Sequence, residues 1–345
     1  MGLKYQAVQW NLAKKRYDLY IGLGIILYLG LFIVASFILD EEKTAETVLI
    51  RALGSLALVM LHIILVIGPL ARLNTSFLPL LYNRRHFGVL MFFMALFHGG
   101  FALFQFHGLA EINPIWALFT SNSDYDSLLQ FPFQVLGFFA LIILAIMAST
   151  SHDFFLANLG ARVWKSLHML VYVAYGLILM HVVLGSLQQE RSSFLLILMT
   201  LGFLVVASLH LWSGINEYRR DSVKTGEKDT WLKVGSPSQI ENNTAVSVNI
   251  GGERVAIFRK DDEFYAVHSV CKHQGGPLDE GRIVDGCITC PWHGYQYLPH
   301  NGQSPPPFTE KIATYNLQEI DGDLYINPEA NTEGAPVSPL KISKS

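Results

Sequence analysis

Cys271-Lys272-His273 and, sixteen residues on, Cys290-Pro291-Trp292-His293 set two thiols and two imidazoles in the pattern C-x-H-x16-C-x2-H. Each short segment brings one sulfur and one nitrogen donor. Such a set can clamp a [2Fe–2S] cluster asymmetrically, with two thiolates on one iron and two neutral imidazoles on the other. Exchanging two thiolates for imidazoles removes negative charge and raises the reduction potential over all-cysteine clusters. Structural zinc also accepts two cysteines and two histidines, but one donor of each kind in each loop, at this spacing, argues for iron and sulfide. The third cysteine, Cys287, forms a C-x2-C with Cys290. It stands in the apolar strand-like run Cys287-Ile288-Thr289 and reads as a buried thiol. Three cysteines cannot build a disulfide scaffold, which excludes a small stapled secreted fold.

A second set of donors lies in apolar surroundings. His62, His98, His168, His181 and His210 fall inside long hydrophobic runs, and His86 and His107 near the ends of one. Ionisable side chains are costly in a bilayer and mark function there. Neutral imidazole is an axial ligand for haem iron. His98 and His181 lie on the third and fifth runs, which cross in the same direction, and are the expected pair for one haem. His168 precedes His181 by 13 residues, about 20 Å of helix at ~1.5 Å per residue. That separation suits a second haem nearer the cytoplasm, with His86 or His62 as the other ligand. A lone intramembrane histidine more often bonds a backbone carbonyl and holds helices together. That is the expectation for His62, His107 and His210, with His62 kept as a candidate partner of His168.

The elements that must position these residues follow from composition. Of 345 residues, 51% are hydrophobic and 15% charged, with a mean hydropathy of +0.33, against about 25% charged in soluble domains. Residues 1–216 hold 22 of the charges and residues 217–345 hold 31. A spanning helix needs ~20 apolar residues, and six runs qualify: about 19–39, 48–70, 87–108, 131–149, 164–187 and 193–215. Lys4, Lys14, Lys15, Arg16, Arg72, Arg84, Arg85 and Arg162 fall at alternate ends of these runs, and loop 109–130 has no Lys or Arg. By the positive-inside rule the N-terminus is cytoplasmic, and six crossings return the chain to the cytosol. The expected organisation is a cytoplasmic segment 1–18, a six-helix all-α membrane bundle 19–216, a polar linker 217–229, a small all-β domain 230–328 and a disordered tail 329–345. The β-domain rests on short runs, Thr230–Val234, Thr244–Ile250, Arg254–Arg259, Glu263–Val267, Gly286–Thr289, Ala313–Glu319 and Asp323–Ile326, parted by turn signals such as Asp321-Gly322.

Two resemblances extend this reading. Gly68-Pro69-Leu70-Ala71-Arg72, Arg84-Arg85-His86-Phe87-Gly88 through His98, and Leu159-Gly160-Ala161-Arg162-Val163-Trp164-Lys165-Ser166-Leu167-His168 through His181 resemble the ferric-reductase-like membrane domain, over about residues 45–215. The pattern is similar to that of MsrQ-type haem subunits, and NADPH oxidases are more distant members of the same family. The resemblance implies b-type haem ligated from the third and fifth helices, with His98, His168 and His181 on ligand positions. Where larger members carry a fourth histidine this chain has Arg84, so one haem is expected and a second is open. The cysteine–histidine motif, with Gly275-Gly276-Pro277-Leu278 and Pro305-Pro306-Pro307, resembles the Rieske ferredoxins over about 230–328. It implies a [2Fe–2S] cluster on Cys271, His273, Cys290 and His293. Rieske proteins of cytochrome bc complexes carry a further cysteine pair where this chain has Gly276 and Trp292, and a serine where it has Tyr295, while Tyr297 matches their tyrosine. With fewer hydrogen bonds to the sulfurs, the potential is expected in the lower part of the Rieske range, about −150 to 0 mV.

Together these readings predict a membrane electron-transfer protein of the bacterial inner membrane. It would pass electrons between a cytosolic Rieske cluster and intramembrane haem, with a cytosolic reductase or ferredoxin as donor and an external acceptor. A membrane-anchored redox sensor without haem is the alternative. An oxygenase needs an iron facial triad, and no histidine follows position 328. No glycine-rich dinucleotide loop follows a strand, and a net charge of −3 gives no footprint for nucleic acid.

Overall fold

A computed structural model of the chain describes residues 12–39, 42–74, 77–109, 111–189, 193–222, 231–273, 275–291, 294–306 and 308–342. The apolar part is helical: α1 (Leu12–Leu39), α2 (Ala45–Leu73), α3 (Leu78–His107), α4 (Pro114–Thr120), α5 (Phe133–Ser149), α6 (Asp153–Met169), α7 (Val171–Gln189) and α8 (Ser193–Ser222). Lipid offers backbone groups no partners, so the runs close their own hydrogen bonds as helices. Helix α2 is the inner one, burying Ala52, Leu53, Leu56 and Leu61, whereas Leu31 of α1 and Leu204 of α8 stay exposed, as lipid-facing side chains do. Helix α5 packs along α7.

The described chain thus holds eight α-helices where six were expected. Five stretches are long and apolar enough to cross a membrane, and α5, at 17 residues, is shorter. Five of the expected runs each correspond to one helix, and the fifth, 164–187, is divided between α6 and α7, which puts His168 on α6 and His181 on α7. In loop 109–130, Asn113 caps α4, its Oδ1 accepting the N–H of Ile115 at 2.9 Å and of Trp116 at 3.4 Å, with Pro114 at the first helical position. Helix α6 begins before the fifth run and takes in its first residues, with Asp153, Asn158 and Arg162 interrupting the apolar pattern ahead of Trp164. Leu170 alone parts it from α7. Helix α8 continues to Ser222, into the expected linker, and residues 223–230 lie outside the described residues.

The C-terminal part is antiparallel β. Strands β1 (Leu232–Gly235), β2 (Ala245–Ile250), β3 (Glu253–Lys260), β4 (Glu263–His268), β8 (Thr314–Ile320) and β9 (Asp323–Ala330) form one sheet in the order β1-β9-β8-β4-β3-β2. Strands β5 (Arg282–Val284), β6 (Cys287–Thr289) and β7 (Gln296–Tyr297) form a second. The run Val255-Ala256-Ile257-Phe258 of β3 is apolar without alternation because both faces are covered. Val255 and Ile257 enter one core with Phe264 and Ile326, and Ala256 and Phe258 enter another with Ile288 and Tyr297. Asp285-Gly286 and Asp321-Gly322 turn β5 into β6 and β8 into β9 with both residues at positive φ, which suits two-residue hairpins.

Residues 329–342 of the tail are ordered where disorder was expected. Strand β10 (Leu340–Lys341) pairs with β4, the Ile342 N–H bonds the Asp262 carbonyl at 3.0 Å, and the Val337 N–H bonds the His300 carbonyl at 2.7 Å. Leu340 and Ile342 pack on the sheet core. These two apolar side chains, hidden among Pro, Ser and Lys, anchor the segment.

Candidate functional site

Two loops of the β-domain carry the cysteine–histidine motif, and they are built alike. In the first, the Gly275 N–H bonds the Cys271 carbonyl at 2.7 Å and the Cys271 N–H bonds the Gly276 carbonyl at 2.9 Å. In the second, the Gly294 N–H bonds the Cys290 carbonyl at 2.9 Å and the Cys290 N–H bonds the Tyr295 carbonyl at 2.7 Å. Each bond back to the cysteine carbonyl comes from a glycine four residues on, at φ 72° and 69°. That left-handed conformation favours glycine.

Cys271, His273 and Cys290 are all buried. The two cysteines enter one core cluster with Tyr295 and Tyr297. The His273 ring stacks on Tyr295, with centroids 4.6 Å apart and planes 7° from parallel. His293 and Trp292 lie outside the described residues. Two buried thiols and a buried imidazole on twin loops fit an iron–sulfur ligand set.

Tyr297 governs the sulfur's surroundings. Its hydroxyl oxygen accepts the Lys272 N–H at 3.0 Å, leaving its proton for Cys271 Sγ at 3.4 Å. Burial first, then the neighbouring Cys271 sulfur, pushes the phenol well above its ordinary range, so it stays a donor. Tyr295 gives its proton away from the site, to Glu310 Oε2. Burial and that carboxylate raise its pKa as well. Ser269 anchors the first loop from below: its hydroxyl bonds the Asp279 carboxylate, and its Oγ accepts the Asp279 N–H at 3.2 Å. Sequence reasoning missed Glu310, Ser269 and Asp279, which act across turns with no spacing signature.

In the helical part, the structure brings His98 of α3 and His181 of α7 together, ring centroids 6.2 Å apart at 79°. His98 Nδ1 bonds the Ile50 carbonyl of α2 at 2.9 Å, and His181 Nδ1 bonds the Phe133 carbonyl of α5 at 2.9 Å. A carbonyl only accepts, so both Nδ1 atoms carry the proton, and Nε2 keeps its lone pair for a metal. Both rings line one cavity of about 470 Å³. Two imidazoles bound opposite each other on one metal, at ~2.0 Å per bond, need ring centroids about 6 Å apart. The observed pair meets that condition.

The remaining histidines are placed separately. His168 stacks on Trp164 at 3.6 Å between centroids, and its Nδ1 bonds the Trp164 carbonyl at 3.0 Å. Among the described residues, its Nε2 is buried with no hydrogen-bond partner. The Arg85 guanidinium lies 5.2 Å over the same Trp164 ring. His62 meets Tyr175 edge-on at 5.5 Å, and its Nε2 is likewise buried without a hydrogen bond among the described residues. His86 pairs with Asp18 at 3.2 Å. His107 Nε2 bonds Gln134 Oε1 at 2.8 Å, a helix-joining contact.

Comparison with known proteins divides the chain at the same place. Residues 53–179 match the ferric reductase like transmembrane component, and residues 230–316 match the Rieske [2Fe-2S] domain. The chain is similar to the anthranilate 1,2-dioxygenase ferredoxin subunit of Burkholderia cepacia, 30% identical over 28% of this chain and 91% of that protein. It is also similar to ferredoxin CarAc of Metapseudomonas resinovorans, 31% identical over 29% of this chain and 94% of that protein. A solved complex of reduced oxygenase and oxidized ferredoxin in carbazole 1,9a-dioxygenase contains a chain 30% identical, covering 30% of this chain and 97% of its own length, with a TM-score of 0.28.

Proposed function

Because the chain belongs to the Rieske [2Fe–2S] family and joins that domain to a ferric-reductase-like transmembrane component, we propose that this membrane electron-transfer protein passes electrons between a cytosolic cluster and intramembrane b-type haem, and on to an external acceptor. Cys271, His273, Cys290 and His293 hold the cluster, and His98 and His181 hold the haem. Bound there, the two groups supply one-electron redox chemistry at two sites of one chain. Haem b is a resident cofactor in this reading, and the donor is a cytosolic reductase or ferredoxin. Both termini are cytoplasmic and the membrane is a bacterial inner membrane in this reading, which the Lys/Arg distribution supports through the positive-inside rule.

The chain's own residues prepare both sites. The Ile50 and Phe133 carbonyls hold the two imidazoles in the Nδ1–H tautomer, which presents Nε2 to the cavity. Tyr297 donates toward Cys271 Sγ, which stabilises added negative charge at that sulfur. Leu58, Leu61, Leu141 and Leu144 give the haem cavity much of its apolar lining. His168, with a buried Nε2 that has no hydrogen bond among the described residues, is the candidate ligand for a second haem. His62 shares that feature, which favours it over the Asp18-paired His86 as the other ligand.

The single observation that carries the reading is the His98–His181 pair, tautomer-fixed and at bis-imidazole distance in one cavity. A reduced-minus-oxidised optical spectrum of the detergent-purified chain tests it. Haem b bands support it, and their absence in protein made with ample haem overturns it.

A further inference from the structure

The two haem-facing histidines are held by one device used twice. Ile50 gives its carbonyl to His98 and Phe133 gives its carbonyl to His181, each across 48 residues and each at 2.9 Å. Four residues after each carbonyl stands a glycine, Gly54 on α2 and Gly137 on α5. A Cβ built on Gly54 would lie 2.8 Å from His98 Cε1 and Nδ1, and one on Gly137 would lie 2.9 Å from the same atoms of His181. Carbon contacts are comfortable only at about 3.5–4.0 Å, so either ring would have to move.

The correspondence is a constant offset. Ile50, Gly54 and His98 each precede Phe133, Gly137 and His181 by 83 positions. The same offset relates other residues lining the cavity: Ala57 to Ala140, Leu58 to Leu141 and Leu61 to Leu144. The cavity is therefore walled by two copies of one unit, α2 with α3 and α5 with α7, facing each other. Glycine is unfavourable inside a helix and needs a packing reason there. At Gly54 and Gly137 the reason is the imidazole lying flat on the helix.

We propose that Gly54 and Gly137 are paired positioning residues. Each lets a histidine ring seat against the neighbouring helix, so that Nδ1–H reaches the carbonyl one turn earlier and Nε2 enters the cavity. The repeat makes the two axial positions equivalent, so the two glycines matter equally. This rests on the proposed haem ligation, which the wild-type spectrum tests first and independently.

The experiment replaces each glycine in the full chain and reads haem content and spin state optically and by EPR, with the cluster signal as the measure of intact protein. Gly54→Ala and Gly137→Ala are each expected to convert low-spin haem to high-spin, or to lose most of it, to similar extents. Gly88→Ala and Gly176→Ala, on α3 and α7 with nothing within 4 Å of the added methyl, should leave the low-spin spectrum intact. A His98→Gly background supplied with free imidazole separates ring displacement from misfolding, because an untethered ring can shift. There, adding Gly54→Ala should cost no further low-spin haem. Unchanged spectra in both single variants, or a loss that free imidazole does not relieve, would overturn the proposal.

Discussion

Replacing Tyr297 with Phe removes one hydroxyl from a side chain that is fully buried, without opening a cavity larger than that oxygen. Two bonds go with it: the 3.4 Å contact to Cys271 Sγ and the 3.0 Å bond from the Lys272 N–H. A hydrogen bond to a charged acceptor contributes ~1.5–3 kcal/mol. The sulfur is more negative in the reduced cluster, so part of that energy, about 1 kcal/mol, favours reduction. Since 59 mV corresponds to a tenfold change for one electron, or ~1.4 kcal/mol, the potential should fall by about 40 mV. The starting value is expected in the lower Rieske range, about −150 to 0 mV, because the hydroxyl of Tyr295 is turned to Glu310 and not to a sulfur. An EPR-monitored redox titration of the full chain reads both numbers. An unchanged or higher potential in Tyr297→Phe, with the cluster at full occupancy, would refute the reasoning.

Three further outcomes follow from the same contacts. His181→Ala should abolish the haem bands while the cluster EPR signal persists, and haem retained at wild-type level would sink the ligand assignment. Ser269→Ala leaves the buried Asp279 carboxylate short of one donor, with Arg254 only at 3.9 Å. It should lower the stability of the β-domain by ~1–3 kcal/mol, read as an earlier urea midpoint for cluster bleaching. The Glu263 carboxyl is held below its ordinary value by the Tyr265 hydroxyl and then by Lys341 of β10. A depressed carboxylate stabilises the fold fully above its unfolded pKa and stops doing so as pH falls through the folded one. The stability gap between wild type and Glu263→Gln should therefore be constant near neutrality and close below about pH 4, and a gap that widens in acid would contradict it.

Much of this molecule was legible from residue types. Four donors in two short segments identified the Rieske loops, and six apolar runs located six of the helices. The missed elements are those whose signals are weak or distant. Helix α4 is seven residues held by one cap, and α6 is amphipathic, so neither stands out in a search for apolar runs. Strand β10 is two residues in a polar tail, secured by Leu340 and Ile342. His98 and His181 could be paired by parallel crossing alone, but the partners that orient them could not. Ile50 and Phe133 act through backbone carbonyls, which leave no trace in residue type, and Gly54 and Gly137 act by lacking a side chain. Tyr297 was visible as a matching tyrosine. The hydrogen bond of Tyr295 to Glu310 depends on a turn that brings residues fifteen apart together.

The most direct test of the account is the haem-to-cluster ratio in one detergent-purified preparation, by pyridine haemochrome and iron–sulfide analysis. The account predicts at least one haem b per [2Fe–2S] cluster, rising to two if His168 also serves as a ligand. Full cluster occupancy without haem, in cells supplied with it, would contradict the account and leave the helices as an anchor for a Rieske domain.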